Sequence, residues 1–147
     1  MQQVPRSRTH FLALASALVA VLGCGSDDPD PLSPSLVPTG TYVATTFQAT
    51  PDGLAAINVL TAGGSLTVTV SANNSVNGTL HVPASLAGED FTASMTGTMV
   101  ASGVGVALQQ SADSFVRDLI WTVGTNTLSV TNQRAGAATF TITLTRQ

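Results

Sequence analysis

Residues 139–146 read Thr-Phe-Thr-Ile-Thr-Leu-Thr-Arg, and this alternation of apolar residues with threonine decides the fold class. Side chains point to opposite faces at successive positions of a β-strand. The stretch therefore predicts a strand with Phe140, Ile142 and Leu144 facing a core and four threonines facing outward. Residues 65–71 repeat the pattern with leucine and valine at the inward positions.

The same period of two continues through residues 40–147 and predicts eight strands, separated by turns rich in glycine and asparagine. The strands are expected at residues 40–48, 65–71, 76–82, 91–100, 104–108, 115–123, 127–131 and 139–146. Residues 54–61 interrupt the pattern and predict a short helix or a capping loop.

These strands predict an all-β domain, an eight-stranded antiparallel up-and-down barrel. Short connections favour a meander, and closing it into a barrel removes the edge strands. The alternative is an immunoglobulin-like sandwich, but the chain has a single cysteine and few connections long enough for its crossovers. The outward face is rich in threonine, which indicates a barrel in water, because a barrel in a bilayer needs an apolar outer face.

The N-terminal part predicts a signal peptide that ends at the cysteine. Residues 11–23 form an apolar run, two arginines precede it, and it is shorter than the roughly 20 residues that span a bilayer. It ends in Val21-Leu22-Gly23-Cys24, which resembles the lipobox of bacterial lipoproteins. The resemblance implies diacylation of the Cys24 thiol, cleavage after Gly23 and acylation of the new amino terminus.

The chain is thus expected to comprise three parts: a signal peptide at 1–23, a tether at 24–39 and the barrel domain at 40–147. The tether carries the lipidated cysteine and is acidic and rich in proline, so we expect it to be disordered. The resemblance implies the bacterial cell envelope as the location, with the domain in the periplasm or at the cell surface. Gly25 follows the cysteine where an aspartate would imply retention in the inner membrane, so the outer membrane is the expected site.

The charge of the predicted mature chain excludes two classes of partner. Three arginines stand against eight acidic residues and no lysine, which leaves a net charge of −5. Nucleic-acid binding is excluded because it depends on clustered basic residues that displace counterions from phosphates, and this chain has no such cluster. Peripheral binding to anionic lipids needs a polybasic patch, so the expected membrane contact is the lipid anchor alone.

The start of the barrel domain also resembles the lipocalins. Gly40-Thr41-Tyr42 is similar to their Gly-x-Trp motif, with tyrosine in place of tryptophan. Arg146 stands where lipocalins carry an arginine that packs across this aromatic residue. The resemblance implies a barrel that holds a small ligand.

Arg117 is the candidate for a ligand contact that is hardest to place. It shares the parity of Phe115 and Trp121, which the strand pattern directs inward. A guanidinium inside the barrel would be stable only if it were paired, for example with the acid group of a ligand. Alternatively, a bulge turns Arg117 to water, or the residue lies at the rim and pairs with Asp113 or Glu89.

Few residues point to catalysis or metal binding. His81 is the one histidine after the signal peptide, and it has the outward parity of its strand. A general base needs a nucleophile and an orienting acid beside it, and a zinc site needs three or four converging ligands. Glu89 and Asp90 are adjacent loop carboxylates, which are most often plain solvated charges. We therefore predict no enzyme activity, no cofactor and no metal.

Two hypotheses for the function remain. The first is a lipid-anchored barrel that binds a small apolar or amphipathic ligand, with Arg117, Tyr42 and Trp121 as candidate contacts; it predicts a continuous interior cavity. The second is a non-catalytic barrel filled by its own side chains that contacts partners in the cell envelope.

The lipobox gives a direct prediction for Cys24. A Cys24→Ser protein, expressed in a bacterial host, should lose palmitate label and leave the membrane fraction, since stable anchoring requires more than one acyl chain. Ser26→Ala is the matched control and should keep both properties. Palmitate labelling of the Cys24→Ser protein would contradict the prediction.

Overall fold

The computed structural model describes residues 35–147 and shows a closed barrel of eight antiparallel strands. Its strands are β1 (Gly40–Pro51), β2 (Ile57–Asn58), β3 (Ser65–Val70), β4 (Ser75–Val82), β5 (Phe91–Ser102), β6 (Gly105–Gln110), β7 (Ile120–Val123), β8 (Thr127–Ala135) and β9 (Ala138–Arg146). Each barrel strand pairs with the next along the chain, β1 closes the barrel against β9, and the short β2 lies beside β1. The predicted all-β, up-and-down barrel is confirmed.

The barrel interior is packed with the apolar residues of the alternating pattern. On β9, Ile142 and Leu144 are fully buried, and the intervening threonines are partly exposed. Trp121 on β7 and Met95 on β5 are each 1 % exposed and fill the space between the walls. Burying one such side chain stabilises the fold by about 1.5–3 kcal/mol, so this filled interior is the main source of stability.

Of two local predictions, one is confirmed and the other is wrong. Residues 54–61 form a capping loop, as one alternative had it, but not a helix. Asn58 shapes this loop because its side-chain Oδ1 accepts hydrogen bonds from the backbone N–H groups of Leu60 (3.1 Å) and Thr61 (3.3 Å). Val104, expected to face inward, lies in the turn between β5 and β6 and is fully exposed.

The predicted strand over residues 115–123 is wrong in its first half. Phe115–Asp118 forms a 3-10 turn, and the strand begins only at Ile120. The reason is a bulge in the neighbouring strand: the register between β8 and β9 shifts between Val130 and Gln133. The side chain of Gln133 then makes the hydrogen bonds to the Ile120 backbone that a neighbouring strand would otherwise make.

The two ends of the barrel differ. We call the end formed by residues 52–64, 83–90, 111–119 and 136–137 the mouth, since the longer connections lie there. The opposite end, formed by the tight turns 71–74, 103–104 and 124–126 together with residues 35–39, is called the closed end. A short helix, α1 (Ala84–Ala87), belongs to the mouth.

Residues 35–39, the described part of the predicted tether, pack onto the closed end. Val37 is fully buried, and Asn74 Oδ1 accepts a hydrogen bond of 2.7 Å from the backbone N–H of Leu36. Asn74 has a φ of 61°, a conformation that asparagine tolerates better than most residues. Its carbonyl also accepts from the N–H of Met99 at 2.8 Å, so this one residue joins the entering chain to β5.

Tyr42 and Arg146 lie together at the closed end. They are paired in the β1–β9 register, and Tyr42 is fully buried. The Tyr42 hydroxyl donates a hydrogen bond of 2.6 Å to the carbonyl of Pro38. The Arg146 stem lies against Gly40, where an added Cβ would stand 2.9 Å from Arg146 Cδ.

The burial of Tyr42 predicts a loss of stability at alkaline pH. Burial raises the pKa of the phenol above its ordinary value of 10.0, and the charge of Arg146 opposes this shift more weakly. The folded state thus retains a proton that the unfolded state releases, so the contribution of Tyr42 to the free energy of unfolding is constant below about pH 10 and falls above it. Urea unfolding of the Cys24→Ser protein between pH 8 and 11.5 measures this, because the chain has no lysine and no other tyrosine.

Tyr42→Phe is the matched variant for this measurement. It should lose about 1 kcal/mol at neutral pH with its hydrogen bond, but its stability should not fall further above pH 10. An alkaline loss of equal size in both proteins would contradict the assignment to Tyr42.

Candidate functional site

An apolar pocket of about 220 Å³ opens at the mouth of the barrel. Strands β1, β4, β5 and β9, the loop around β2, α1 and the 3-10 turn all contribute to its wall. Its lining consists of Phe47, Ala49, Pro51, Ile57, Val59, Val82, Leu86, Ala87, Phe91, Phe115 and Phe140. Every one of these side chains is apolar, so the pocket offers dispersion contacts and no side-chain hydrogen bond.

Phenylalanine is concentrated in this pocket. The chain has five phenylalanines, and four of them line the pocket. The rings of Phe115 and Phe140 are stacked with centroids 4.0 Å apart and an angle of 2° between their planes. Phe47 meets Phe115 with centroids 6.0 Å apart and an angle of 48°. The tilted Phe47–Phe115 pair lies in the range of about 4.5–7 Å over which aromatic rings attract one another beyond simple burial, and with the closer Phe115–Phe140 pair it forms a continuous aromatic wall.

The up-and-down topology brings these rings together. Strands of opposite direction alternate, so the last residues of one strand lie beside the first residues of the next. Phe47 lies near the end of β1, Phe91 begins β5, and Phe140 lies near the start of β9, all at the mouth. Phe115 reaches the same place from the 3-10 turn between β6 and β7.

Two connections complete the wall of the pocket. The loop around β2 is held to β1 by a hydrogen bond of 2.8 Å from the Val59 N–H to the Phe47 carbonyl, and Val59 is almost fully buried. Across the mouth, α1 presents Leu86 and Ala87 to the pocket. The Asp90 carboxylate accepts 2.8 Å from the N–H of Ala84 and so fixes the start of this helix.

Gln133 positions the turn that carries Phe115. Its side-chain Oε1 accepts 2.9 Å from the Ile120 N–H, and its Nε2 donates 2.5 Å to the Ile120 carbonyl. One side chain therefore satisfies both backbone groups of the first residue of β7. The chain can leave the ladder immediately before this point, and the 3-10 turn fits over the mouth.

The cations at the mouth are paired with carboxylates. Arg117 Nη2 lies 2.7 Å from Asp113 Oδ1, and its Nε lies 3.8 Å from Asp118 Oδ1. Arg134 donates to both carboxylate oxygens of Asp52, at 2.9 and 2.6 Å, and this hydrogen bonding raises the pKa of the guanidinium. These exposed pairs add little to stability, but they offset the positive charge that either guanidinium could present to a ligand.

The structure places none of the three predicted ligand contacts in the pocket. Arg117 lies at the rim, with its side chain 46 % exposed, because the 3-10 turn replaces the strand parity that directed it inward. This is the rim pairing with Asp113 that was one of the alternatives. Tyr42 lies at the closed end, and Trp121 lies within the filled barrel with no hydrogen-bond partner for its Nε1 among the described residues. The predicted lipidation site, Cys24, lies outside the described residues.

The residues that sequence reasoning missed are the phenylalanines, and a signal for them was present. In a meander, the end of the first strand and the start of the fourth and eighth predicted strands share one end of the barrel. Phe47, Phe91 and Phe140 occupy these positions. Phe115 begins the sixth predicted strand and falls at the same end by this reasoning, although the structure brings it there in a 3-10 turn and not in a strand.

The described range, residues 35–147, contains neither a membrane-spanning helix nor a cluster of metal ligands. None of the helices there has the length and apolar character to cross a bilayer. No three histidine, cysteine, aspartate or glutamate side chains in that range come together as metal ligands. Comparison of the chain with protein-family models, with curated proteins and with solved structures found no match in any of the three.

The double hydrogen bond of Gln133 predicts the effect of its removal. Gln133→Ala leaves a partly buried N–H and carbonyl of Ile120 without partners, so the free energy of unfolding should fall by about 1–3 kcal/mol. Gln109→Ala is the control, because this glutamine is exposed on the outer face of β6. Chemical denaturation measures both. Equal stability of the two variants would show that the Gln133 side chain does not hold the turn.

Proposed function

We propose that this protein is a lipid-anchored lipoprotein of the bacterial cell envelope whose barrel binds a small apolar or amphipathic ligand at its mouth. The pocket of about 220 Å³, lined by apolar side chains alone, carries the binding part of the proposal. The lipobox at Val21–Cys24 supports the anchored part. Pockets for small molecules are concave and mostly apolar, which is the character of this one.

The size of the pocket limits the part of a ligand that it can enclose. An apolar cavity of about 150 Å³ holds one benzene molecule. By proportion, 220 Å³ takes about nine non-hydrogen atoms, such as a phenylethyl group or a short alkyl chain. A larger molecule would insert one such group and leave its remainder outside the mouth.

The binding site proposed here differs from the continuous interior cavity expected from the sequence. Leu66, Leu80, Leu108 and Leu128 are all buried together with Met95 in the middle of the barrel. The ligand would therefore be held above this packed interior, between the aromatic wall and α1. Neither Arg117 nor Tyr42 would touch it.

The path of the chain gives the orientation that an anchored protein would have. The described chain enters the barrel at the closed end, where Val37 is buried and Asn74 binds Leu36. A tether from a lipidated Cys24 would join the barrel at this end. The mouth, at the opposite end, would then be directed away from the anchoring membrane and open to the surrounding aqueous space.

A second candidate function follows from the same filled interior. A barrel packed with its own side chains also suits a protein that contacts an envelope partner through its surface. The exposed Leu54, 64 % accessible in the loop beside the mouth, would then belong to the contact. This candidate does not require that a free small molecule enters the pocket.

Filling the pocket tests the proposed binding. Ala49 faces the pocket from β1, whereas its neighbour Gln48 points outward, so Ala49→Leu and Gln48→Leu add the same side chain to opposite faces. We expect 2-phenylethanol to bind the unmodified protein with a Kd of about 0.1–1 mM, a normal affinity for so few atoms. Ala49→Leu should weaken this binding at least about tenfold, and Gln48→Leu should not change it.

Isothermal titration calorimetry or NMR chemical-shift titration measures these affinities. Thermal unfolding of both variants shows whether the barrel remains intact. An unmodified protein that binds no apolar compound would reject the ligand-binding proposal and leave the partner-binding candidate. Equal binding by both variants would show that the compound binds elsewhere.

A further inference from the structure

The charges around the pocket are arranged unevenly along the barrel axis. All five acidic residues of the described range lie in the connections at the mouth. They are Asp52, Glu89, Asp90, Asp113 and Asp118. Two of the three arginines in that range, Arg117 and Arg134, also lie at the mouth, which leaves it with a net charge of −3. The closed end carries Arg146.

From this arrangement we propose that the pocket selects amphipathic ligands with a cationic head group and disfavours those with an anionic one. The proposal rests on the proposed binding of an apolar group in the pocket and adds the charge of the head group. The apolar part would lie against the phenylalanines, and the cationic part would remain at the acidic rim.

The arginines at the mouth cannot offset the rim for an anionic ligand. Arg117 lies between Asp113 and Asp118, at 2.7 and 3.8 Å, so this group of three has a net charge of −1. Arg134 donates through Nη1 and Nη2 to the two carboxylate oxygens of Asp52 and forms a neutral pair with it. A carboxylate or phosphate head that approached either arginine would also meet the carboxylate already bound to it, so neither group offers an anion a net positive charge.

The remaining carboxylates lie next to the pocket wall. Glu89 and Asp90 stand in the short connection between α1 and β5, directly before Phe91. The Glu89 side chain is exposed and has no ion-pair partner within the described part of the chain, while Asp90 lies 3.8 Å from the His81 ring. A head group leaving the pocket beside α1 meets these two negative charges.

Phe91 adds a second attraction for a cation. Its side chain lines the pocket and is still 39 % exposed, so the ring stands at the boundary between the apolar interior and the acidic rim. A cation over an aromatic face is attracted by the ring at distances up to about 6 Å. An anion at the same place is repelled by the face of the ring and by the carboxylates.

Three compounds with the same apolar group test the inference: 2-phenylethylammonium, 2-phenylethanol and 3-phenylpropanoate. Their affinities for the full-length protein are compared at pH 7 by NMR titration in low salt and in 0.5 M NaCl. We expect the ammonium to bind about tenfold more tightly than the carboxylate in low salt, with the alcohol between them. The difference in affinity should shrink in 0.5 M NaCl, because at this ionic strength exposed charges more than a few ångströms apart are largely screened from one another.

A pair of variants with equal changes in net charge locates the effect. Glu89→Gln removes one negative charge at the rim, and Thr125→Lys adds one positive charge in the turn between β7 and β8 at the closed end. Glu89→Gln should reduce the preference for the ammonium to about threefold, whereas Thr125→Lys should leave it near tenfold. Binding of 2-phenylethanol reports in each variant whether the pocket is intact.

The outcomes separate the inference from the proposed function. If none of the three compounds binds, the proposed function fails and the inference fails with it. If the alcohol binds but the carboxylate binds as tightly as the ammonium, the pocket exists as a ligand site and only the inference on charge is overturned. An equal loss of preference in Glu89→Gln and Thr125→Lys would also overturn it, because the rim would then have no special role.

Discussion

The pairing of β1 with β9 is the contact on which the rest of the structure depends. It joins the first barrel strand to the last along nine residue pairs, from Tyr42 with Arg146 to Pro51 with Ala138. At one end it places the Arg146 stem across Gly40 beside the buried Tyr42, which seals the closed end. At the other end it places Ala49 opposite Phe140, which forms one wall of the pocket. Closure and site are therefore products of one strand pairing, whose register shifts by one residue between Ala44 and Thr46.

The second determinant is the interruption of this regular barrel at β7 and β8. A bulge shifts the β8 register, and the amide of Gln133 takes over the hydrogen bonds that a neighbouring strand would otherwise make to Ile120. β7 is consequently only four residues long, and the chain before it is free to turn. Phe115 reaches Phe140 from that turn. Bulges of this kind commonly redirect a side chain at the rim of a barrel, and here the redirected residue completes an aromatic wall.

The sequence predicted the features that depend on local periodicity and missed those that depend on distant contacts. Alternation over residues 65–71 and 139–146 was sufficient for the barrel, because each strand buries one face and a slip of one residue would expose it. The alternating pattern gave the wrong direction for the Arg117 side chain, because it assumes an unbroken strand. The bulge that interrupts the strand lies in β8, in another part of the chain. Phe47, Phe91 and Phe140 could have been grouped from the strand order alone; the space between them could not, because it depends on packing in three dimensions.

That space has a specific origin in the sizes of the side chains. The inward residues of β1 include the large Tyr42 and Phe47, but the next inward position is the small Ala49, and α1 offers the equally small Ala87 across the mouth. Large residues at these two positions would extend the packed interior to the end of the barrel and add buried apolar area, which stabilises a fold. The chain instead leaves an apolar concavity that faces water and whose rim carries excess negative charge. A packing requirement alone does not favour this combination, whereas the proposed binding of an amphipathic cation does.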